Sequence, residues 1–235
     1  MHDERSTLEA RLRRVLEERI RPAVHGSPLP LTVERWEAPG EPVPVAEGLG
    51  APYRPAEVGE EWGPAWGTTW FRVTGRVPGE WAGQRVEALL DLGFDRNMPG
   101  FQCEGLVHRA HGEVVKGLSP RNAWAPVTAS ADGGEKVELY VEAASNPILN
   151  TPQTPTYEGD RLTSGRGPLY RLGRMDLAVF RPEVWELVHD LEVAGSLMLE
   201  LPLEDARRWE LLRAVGEALD AVDLTDVPGT AGRGR

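Results

Sequence analysis

The strictest pattern in the chain runs from Lys136 to Ala144 (KVELYVEAA). Val137, Leu139 and Val141 point to one side; Lys136, Glu138, Tyr140 and Glu142 point to the other. A period of two is the signature of a half-buried strand, and the Asp132-Gly133-Gly134 turn precedes it. Further strands are predicted at Leu31 to Glu37, Thr68 to Val77, Arg85 to Leu92, Gln102 to Arg109, Glu113 to Leu118 and Met175 to Phe180. His111-Gly112 between two of these runs reads as a hairpin turn. No helical period interrupts Thr68 to Phe180, so a parallel sheet lacks its crossovers. The expected fold is mainly β, an antiparallel β-sandwich.

Helical periods flank this region. Leu8, Leu12, Val15, Leu16 and Ile20 form one stripe, with Ser6 and Glu9 at capping-box spacing before it and Pro22 ending it. Val184, Leu187, Val188, Leu191, Ala194, Met198 and Leu201 form a second stripe after Pro182, and Pro202 stops it. Leu212, Val215, Leu219 and Val222 form a third, which makes a C-terminal helical hairpin with the second. The expected organisation is an N-terminal helix at 1–26, a sandwich at 27–181, the hairpin at 182–226 and a linker-like tail at 227–235. Ala38 to Gly67, with six prolines and six glycines, reads as loop, yet Trp62 and Trp66 within it imply that it wraps on something apolar. Asn150 to Pro168 reads as a mobile loop.

Composition narrows the function. The 235 residues are 40% hydrophobic and 27% charged, as in soluble globular proteins. No long apolar run could span a membrane, and Met1 to Ile20 lacks a signal-peptide core, so a cytoplasmic protein is expected. The single Cys103 forms no internal disulfide and reads as a small core residue. The net charge of −11 disfavours nucleic acid and acidic membranes as partners. Pro182 to Asp226 alone holds twelve acidic and three basic residues. Only Lys116 and Lys136 among the 26 basic residues are lysines, which reads as composition bias.

A search for chemistry returns little. The five histidines offer no His-x-His pair, and His108 and His111 lie at the hairpin turn without an obvious third ligand. There is no Gly-x-Ser-x-Gly elbow, phosphate loop or dinucleotide fingerprint. Asp91, Asp95, Glu104 and Glu142 lie in or beside strands, but sequence does not show whether any pair faces one bond, as glycoside cleavage requires. Eight tryptophans against four Phe and four Tyr suit either core packing or sugar stacking. Asp95 to Glu104 and Ser145-Asn146-Pro147 both sit at predicted strand ends. Asp95, Asn97, Phe101, Glu104 and Asn146 are therefore candidates for one rim of the sandwich, either a structural corner or a substrate-cleft or interdomain edge. No catalytic or metal residue is assigned.

Six blocks are more specific than their composition: WGTTWFRVTGRVP (Trp66 to Pro78), LDLGFDRNMPGFQCEGLV (Leu90 to Val107), VKGLSPRN (Val115 to Asn122), LYVEAASNP (Leu139 to Pro147), GPLYRLGRMDLAVF (Gly167 to Phe180) and WELVHDLEVAGSLMLELP (Trp185 to Pro202). In order and spacing they resemble the N-terminal region of cytosolic-type α-mannosidases of glycoside hydrolase family 38. The resemblance implies a jelly-roll sandwich and helices placed before a catalytic barrel. It implies a divalent metal, zinc or cobalt, for the full-length enzyme, whose ligands begin with a His-x-His-x-Asp motif outside this stretch. On that reading the chain is a non-catalytic accessory domain, present as a fragment or truncated product. Its partners would be the catalytic domain, mannose-containing glycans and further copies of itself. The alternative is an independent carbohydrate-binding sandwich. Where the family carries an aromatic-rich stretch after Asn146-Pro147, Thr151 to Arg166 is mostly polar here.

Overall fold

The computed structural model describes residues 5–40, 42–100, 102–147 and 167–235. Phe101 and nearly all of the loop read at Asn150 to Pro168 lie outside the described residues. The chain divides into two compact units: 28–179, and 1–27 with 180–235.

The first unit is the sandwich. Its strands, with the chain's entry and exit strands, are β1 (His25–Pro30), β2 (Thr32–Glu37), β3 (Arg54–Ala56), β4 (Glu61–Pro64), β5 (Gly67–Arg76), β6 (Val86–Leu90), β7 (Glu104–Arg109), β8 (Val114–Leu118), β9 (Trp124–Thr128), β10 (Lys136–Ser145), β11 (Pro168–Arg171) and β12 (Met175–Phe180). They form a six-stranded sheet in the order β3-β2-β5-β10-β7-β8, a four-stranded sheet in the order β1-β12-β6-β9, and the pair β11-β4.

β10 lies between β5 and β7, antiparallel to both, with Leu139 opposite Val73 and Arg109 and Val141 opposite Phe71 and Val107. Because opposed residues share a face, Val137, Leu139, Val141, Phe71, Val73 and Val107 enter one core with Val86, Ala88, Leu90, Met175 and Leu177 of the other sheet. The alternation in β10 therefore identifies the buried face correctly. The β7–β8 hairpin also forms as expected: Arg109 donates to the Glu113 carbonyl at 2.9 Å, and Gly112 takes a φ of 91°. β9 escapes the sequence reading because Pro126 sits inside it. It is an edge strand, where a missing donor leaves no ladder bond unmade.

The opposite face of the six-stranded sheet is covered too. The stretch read as loop holds β3, β4 and a short helix, α2 (Val45–Leu49). Gly48 of α2 lies against the Trp70 indole so closely that an added Cβ would fall 2.4 Å from the ring. Tyr53 donates its hydroxyl to the Gly48 carbonyl at 2.8 Å and meets the Tyr140 ring edge-on. This cover explains why Trp70 and Tyr140, on the nominally outer face, are both buried. The expected wrapping on an apolar surface is thus present. The expectation of an irregular loop is corrected: elements of three to five residues are too short to show a period.

The second unit is helical. α1 (Arg5–Val15) continues through wider turns at Leu16–Ile20 and a tight turn at Arg21–Val24 that accommodates Pro22. Ser6 lies within the helix and does not precede it as a cap. α3 (Pro182–Glu200) and α4 (Ala206–Ala221) form the expected hairpin, and the Asp205 side chain accepts from Arg207 N at 2.9 Å to cap α4. Leu12, Val15 and Ile20 pack with Leu187, Leu191, Val215 and Leu219.

The tail is not a linker. It folds into α5 (Val227–Thr230) and a tight turn at Ala231–Arg233. Asp226 accepts from Gly229 N at 3.1 Å, while the Thr230 hydroxyl donates to the Asp226 carbonyl at 2.7 Å and accepts from Asp223 N at 3.0 Å. Val227 and Ala231 are buried. The Pro-Gly-Thr-Ala-Gly composition suggested flexibility, but local side-chain bonds to the backbone hold it. Among the described residues no helix is long and apolar enough to cross a membrane.

Candidate functional site

The sandwich rim proposed from sequence is built from the backbone outward. At the end of β6 the Asp91 carboxylate accepts from Gly93 N at 2.9 Å and Phe94 N at 3.0 Å, turning the chain sharply. Gly93 has a φ of 98°, and an added Cβ would fall 2.4 Å from the Arg171 carbonyl, so only glycine fits. The Trp62 indole donates to the Leu92 carbonyl at 2.8 Å and packs against Phe71 and Tyr170, fixing the base of the loop.

Gln102 organises the loop from inside. Its buried amide accepts from Asp95 N at 2.8 Å and donates to the carbonyls of Asp95 at 3.0 Å and Met98 at 2.6 Å. The second segment joins it: Asn146 Nδ2 donates to the Gln102 carbonyl at 3.4 Å, and the Tyr170 hydroxyl donates to the Asn146 carbonyl. The Ser145 hydroxyl ties the same corner to β4 and β5: it donates to the Pro64 carbonyl at 2.5 Å and lies 3.0 Å from the Gly67 carbonyl. Below lies Cys103, fully buried, its thiol pushed up to about 12 by burial and by the neighbouring Asp91. Burial likewise raises the Tyr170 phenol. Both groups stay neutral and packed.

The two candidate segments are thus brought together through Asn146 and Gln102. Asp95 spends a carboxylate oxygen on Asn97 N at 2.9 Å, and both residues are exposed at the loop tip. Glu104 is exposed on β7 opposite Ala144. Phe101, the aromatic candidate, lies outside the described residues. Sequence reasoning missed Gln102, Trp62 and Tyr170 as the groups that hold the rim. The only signal was a glutamine beside a cysteine at the start of an apolar run.

Two further clusters lie away from the rim. Beneath α2 the buried His108 ring stacks on Trp70 at 5.4 Å, with Nε2 3.7 Å from Glu142 and no hydrogen-bond partner among the described residues. His111 is exposed in the turn beside Glu113. The two histidines therefore do not converge. At one sandwich edge, Lys116 places its ammonium on the Trp124 face, and Arg85 lies over the same ring and pairs with the buried Glu87. Burial lowers Lys116 to about 8, with Arg85 acting in the same direction and Glu87 against it.

Of the four carboxylates considered from sequence, Asp91 and Asp95 cap backbone turns, Glu142 faces His108 and Glu104 is exposed. Among the described residues no three His, Cys, Asp or Glu side chains converge into a metal ligand set. The described residues thus offer no ligand set for the divalent metal that the resemblance implies for the full-length enzyme. Buried Trp62, Trp70 and Trp81 are core, while Trp185 and Trp209 are exposed on the helical unit.

A family model described as the α-mannosidase jelly roll domain matches residues 29–178. The chain is 29% identical over 210 residues to human Alpha-mannosidase 2C1 and 27% identical over 210 residues to the mouse protein of that name. Each alignment covers 87% of this chain and 19% of the relative, so the chain spans about a fifth of the length of these curated relatives. Among solved structures it is similar to a β-glucuronidase from Faecalibacterium prausnitzii, with a TM-score of 0.37 and 14% identity over 66% of this chain and 32% of that one. A putative β-galactosidase from Bacteroides fragilis gives 0.40 and 16% over 65% and 23%. The matched span begins in β1 and ends in β12, taking in both sheets and the rim between them, and the chain belongs to the α-mannosidase jelly roll domain family.

Proposed function

We propose that the chain is the non-catalytic N-terminal accessory domain of an α-mannosidase of glycoside hydrolase family 38, a cytoplasmic enzyme that breaks down mannosides. One observation carries the reading. The family match runs through the whole sandwich, yet the sandwich carboxylates of the candidate set cap turns, face a histidine or stand on the surface. Glycoside cleavage requires two carboxyl groups facing one bond. In this reading the reacting groups and the zinc or cobalt ion belong to the catalytic part of the enzyme, outside this stretch.

The rim is the face this domain offers to that part, at or beside the mannoside cleft. Support comes from its construction: Asp91, Gln102 and Tyr170 hold the backbone from within, leaving Asp95, Asn97 and Glu104 outward on a braced edge. A braced edge adds contacts at a lower ordering cost.

The purified chain, supplied with zinc or cobalt, is expected not to hydrolyse 4-nitrophenyl α-mannoside. Turnover that follows the protein through repurification would overturn the reading. Titration with methyl α-mannoside separates it from an independent carbohydrate-binding module: saturable binding by the chain alone would favour the module.

A further inference from the structure

Among the described residues, eight glycines take a positive φ, where other residues are strained. One residue with a side chain shares that region: Trp66, at a φ of 63°. For a group as bulky as an indole this backbone is an outlier, and a glycine at the same position would meet the turn without strain.

The turn between β4 and β5 is built to hold it. Trp66 N donates to the Ser145 carbonyl at 3.0 Å, and the Ser145 hydroxyl lies against the Pro64 and Gly67 carbonyls on either side of the turn. At Gly63 an added Cβ would fall 2.3 Å from the Ser145 Cβ, so β10 presses directly on this segment. Strained residues persist where the surrounding structure over-determines them, and they gather at active sites and ligand clamps. Ser145 is followed by Asn146, which donates to the Gln102 carbonyl. The Trp66 turn is therefore a third segment of the rim, beside the two that Asn146 and Gln102 join.

Burial separates this ring from the core tryptophans. Trp62 and Trp70 are 1% and 0% exposed, whereas Trp66 is half-buried, as suits a ring that works with one face. Flat indole faces take up the apolar faces of sugar rings, whose hydroxyls then need polar neighbours. The same end of the sandwich presents Asp95, Asn97 and Glu104 outward. A nucleotide would stack equally well, but its phosphates would meet those two carboxylates.

We propose that the Trp66 indole is a binding platform for a sugar ring of the mannoside, at the edge of the cleft. This rests on the accessory-domain reading above. The residue binds and positions the sugar and takes no part in bond breaking.

The test pairs stability with binding. In the chain itself, Trp66→Gly and Trp66→Asn, both suited to left-handed backbone, are expected to leave the thermal transition unchanged or to raise it. The binding arm uses human Alpha-mannosidase 2C1 with its matching segment replaced by residues 1–235. There Trp66→Gly is expected to raise KM for an α-linked mannobiose about tenfold, with kcat within about twofold. Trp66→Phe, which keeps an aromatic face, is expected to recover most of that loss. A transition lowered by more than about 3 °C in both variants would assign the ring to the fold and overturn the proposal. An unchanged KM in an active chimera would overturn it too, and would leave the accessory-domain reading standing. A chimera with a folded sandwich and no more activity than the enzyme lacking the segment would overturn that reading and this inference together.

Discussion

Replacing Leu139 by alanine tests the register on which the sandwich depends. Leu139 is 1% exposed at the centre of β10, between Val73 on β5 and Arg109 on β7. The substitution removes Cγ and both Cδ carbons, about 2.4 kcal/mol at ~0.8 kcal/mol per buried carbon group. A residual cavity of about 60 Å³ adds about 1.4 kcal/mol at ~24 cal/mol per Å³. The expected loss is therefore about 4 kcal/mol, a large part of the stability of a domain this size. Urea unfolding followed by tryptophan fluorescence reads it out, because Trp62, Trp70 and Trp81 are buried in the sandwich while Trp185 and Trp209 are already exposed in the helical unit. The midpoint should fall by about 2 M with the slope unchanged. Lys136→Ala, exposed on the same strand, is the control and should stay within about 0.5 kcal/mol. A Leu139→Ala loss below about 0.5 kcal/mol would mean that β10 presents its other face to the core, and the assigned pairing of β5, β10 and β7 would fall with it.

Three further outcomes follow from particular contacts. Gln102→Ala strips three hydrogen bonds from the rim loop, so a loss of about 2 kcal/mol and faster hydrogen exchange at Asp95 N are expected; an unchanged exchange rate would refute the internal-brace role. Gly48→Ala drives a methyl into the Trp70 ring and should cost about 1–3 kcal/mol with a red-shifted emission, whereas an unshifted spectrum would mean that α2 does not cover Trp70. For Lys116, the folded value of about 8 lies below the ordinary 10.5, so between these the unfolded chain binds more protons and stability should rise with pH. The penalty is fully present below about pH 8, and Lys116→Met should remove the slope between urea midpoints taken at about pH 7.5 and 9.5; equal slopes in both proteins would assign it to another group.

What was legible in the sequence tracks how many residues share one pattern. Seven consecutive alternating positions, Lys136 to Glu142, disclose β10, and the apolar stripe that starts at Val184 discloses the inner face of α3. β4, β11 and α2 have four or five residues and contain or abut glycine and proline, so no period emerges, and tertiary contacts with Trp62, Tyr170 and Trp70 hold them. The tail misled because its composition resembles a linker, although Asp226 and Thr230 supply the bonds that fold it. At the rim, turn formers identified the two segments that Asn146 and Gln102 join. Gln102 itself stayed hidden because a single buried amide leaves no mark on hydrophobic periodicity.

The central claim is that this chain serves an α-mannosidase as its N-terminal accessory domain. The most direct measurement is kcat/KM for 4-nitrophenyl α-mannoside in a chimera. The matching segment of human Alpha-mannosidase 2C1 would be replaced by residues 1–235 and compared with the same enzyme lacking that segment. The chimera is expected to regain activity the deletion loses, and Asn97→Ala in the chimera is expected to lower kcat/KM without lowering its melting temperature. A chimera whose sandwich is folded yet whose activity is no higher than that of the deletion would contradict it.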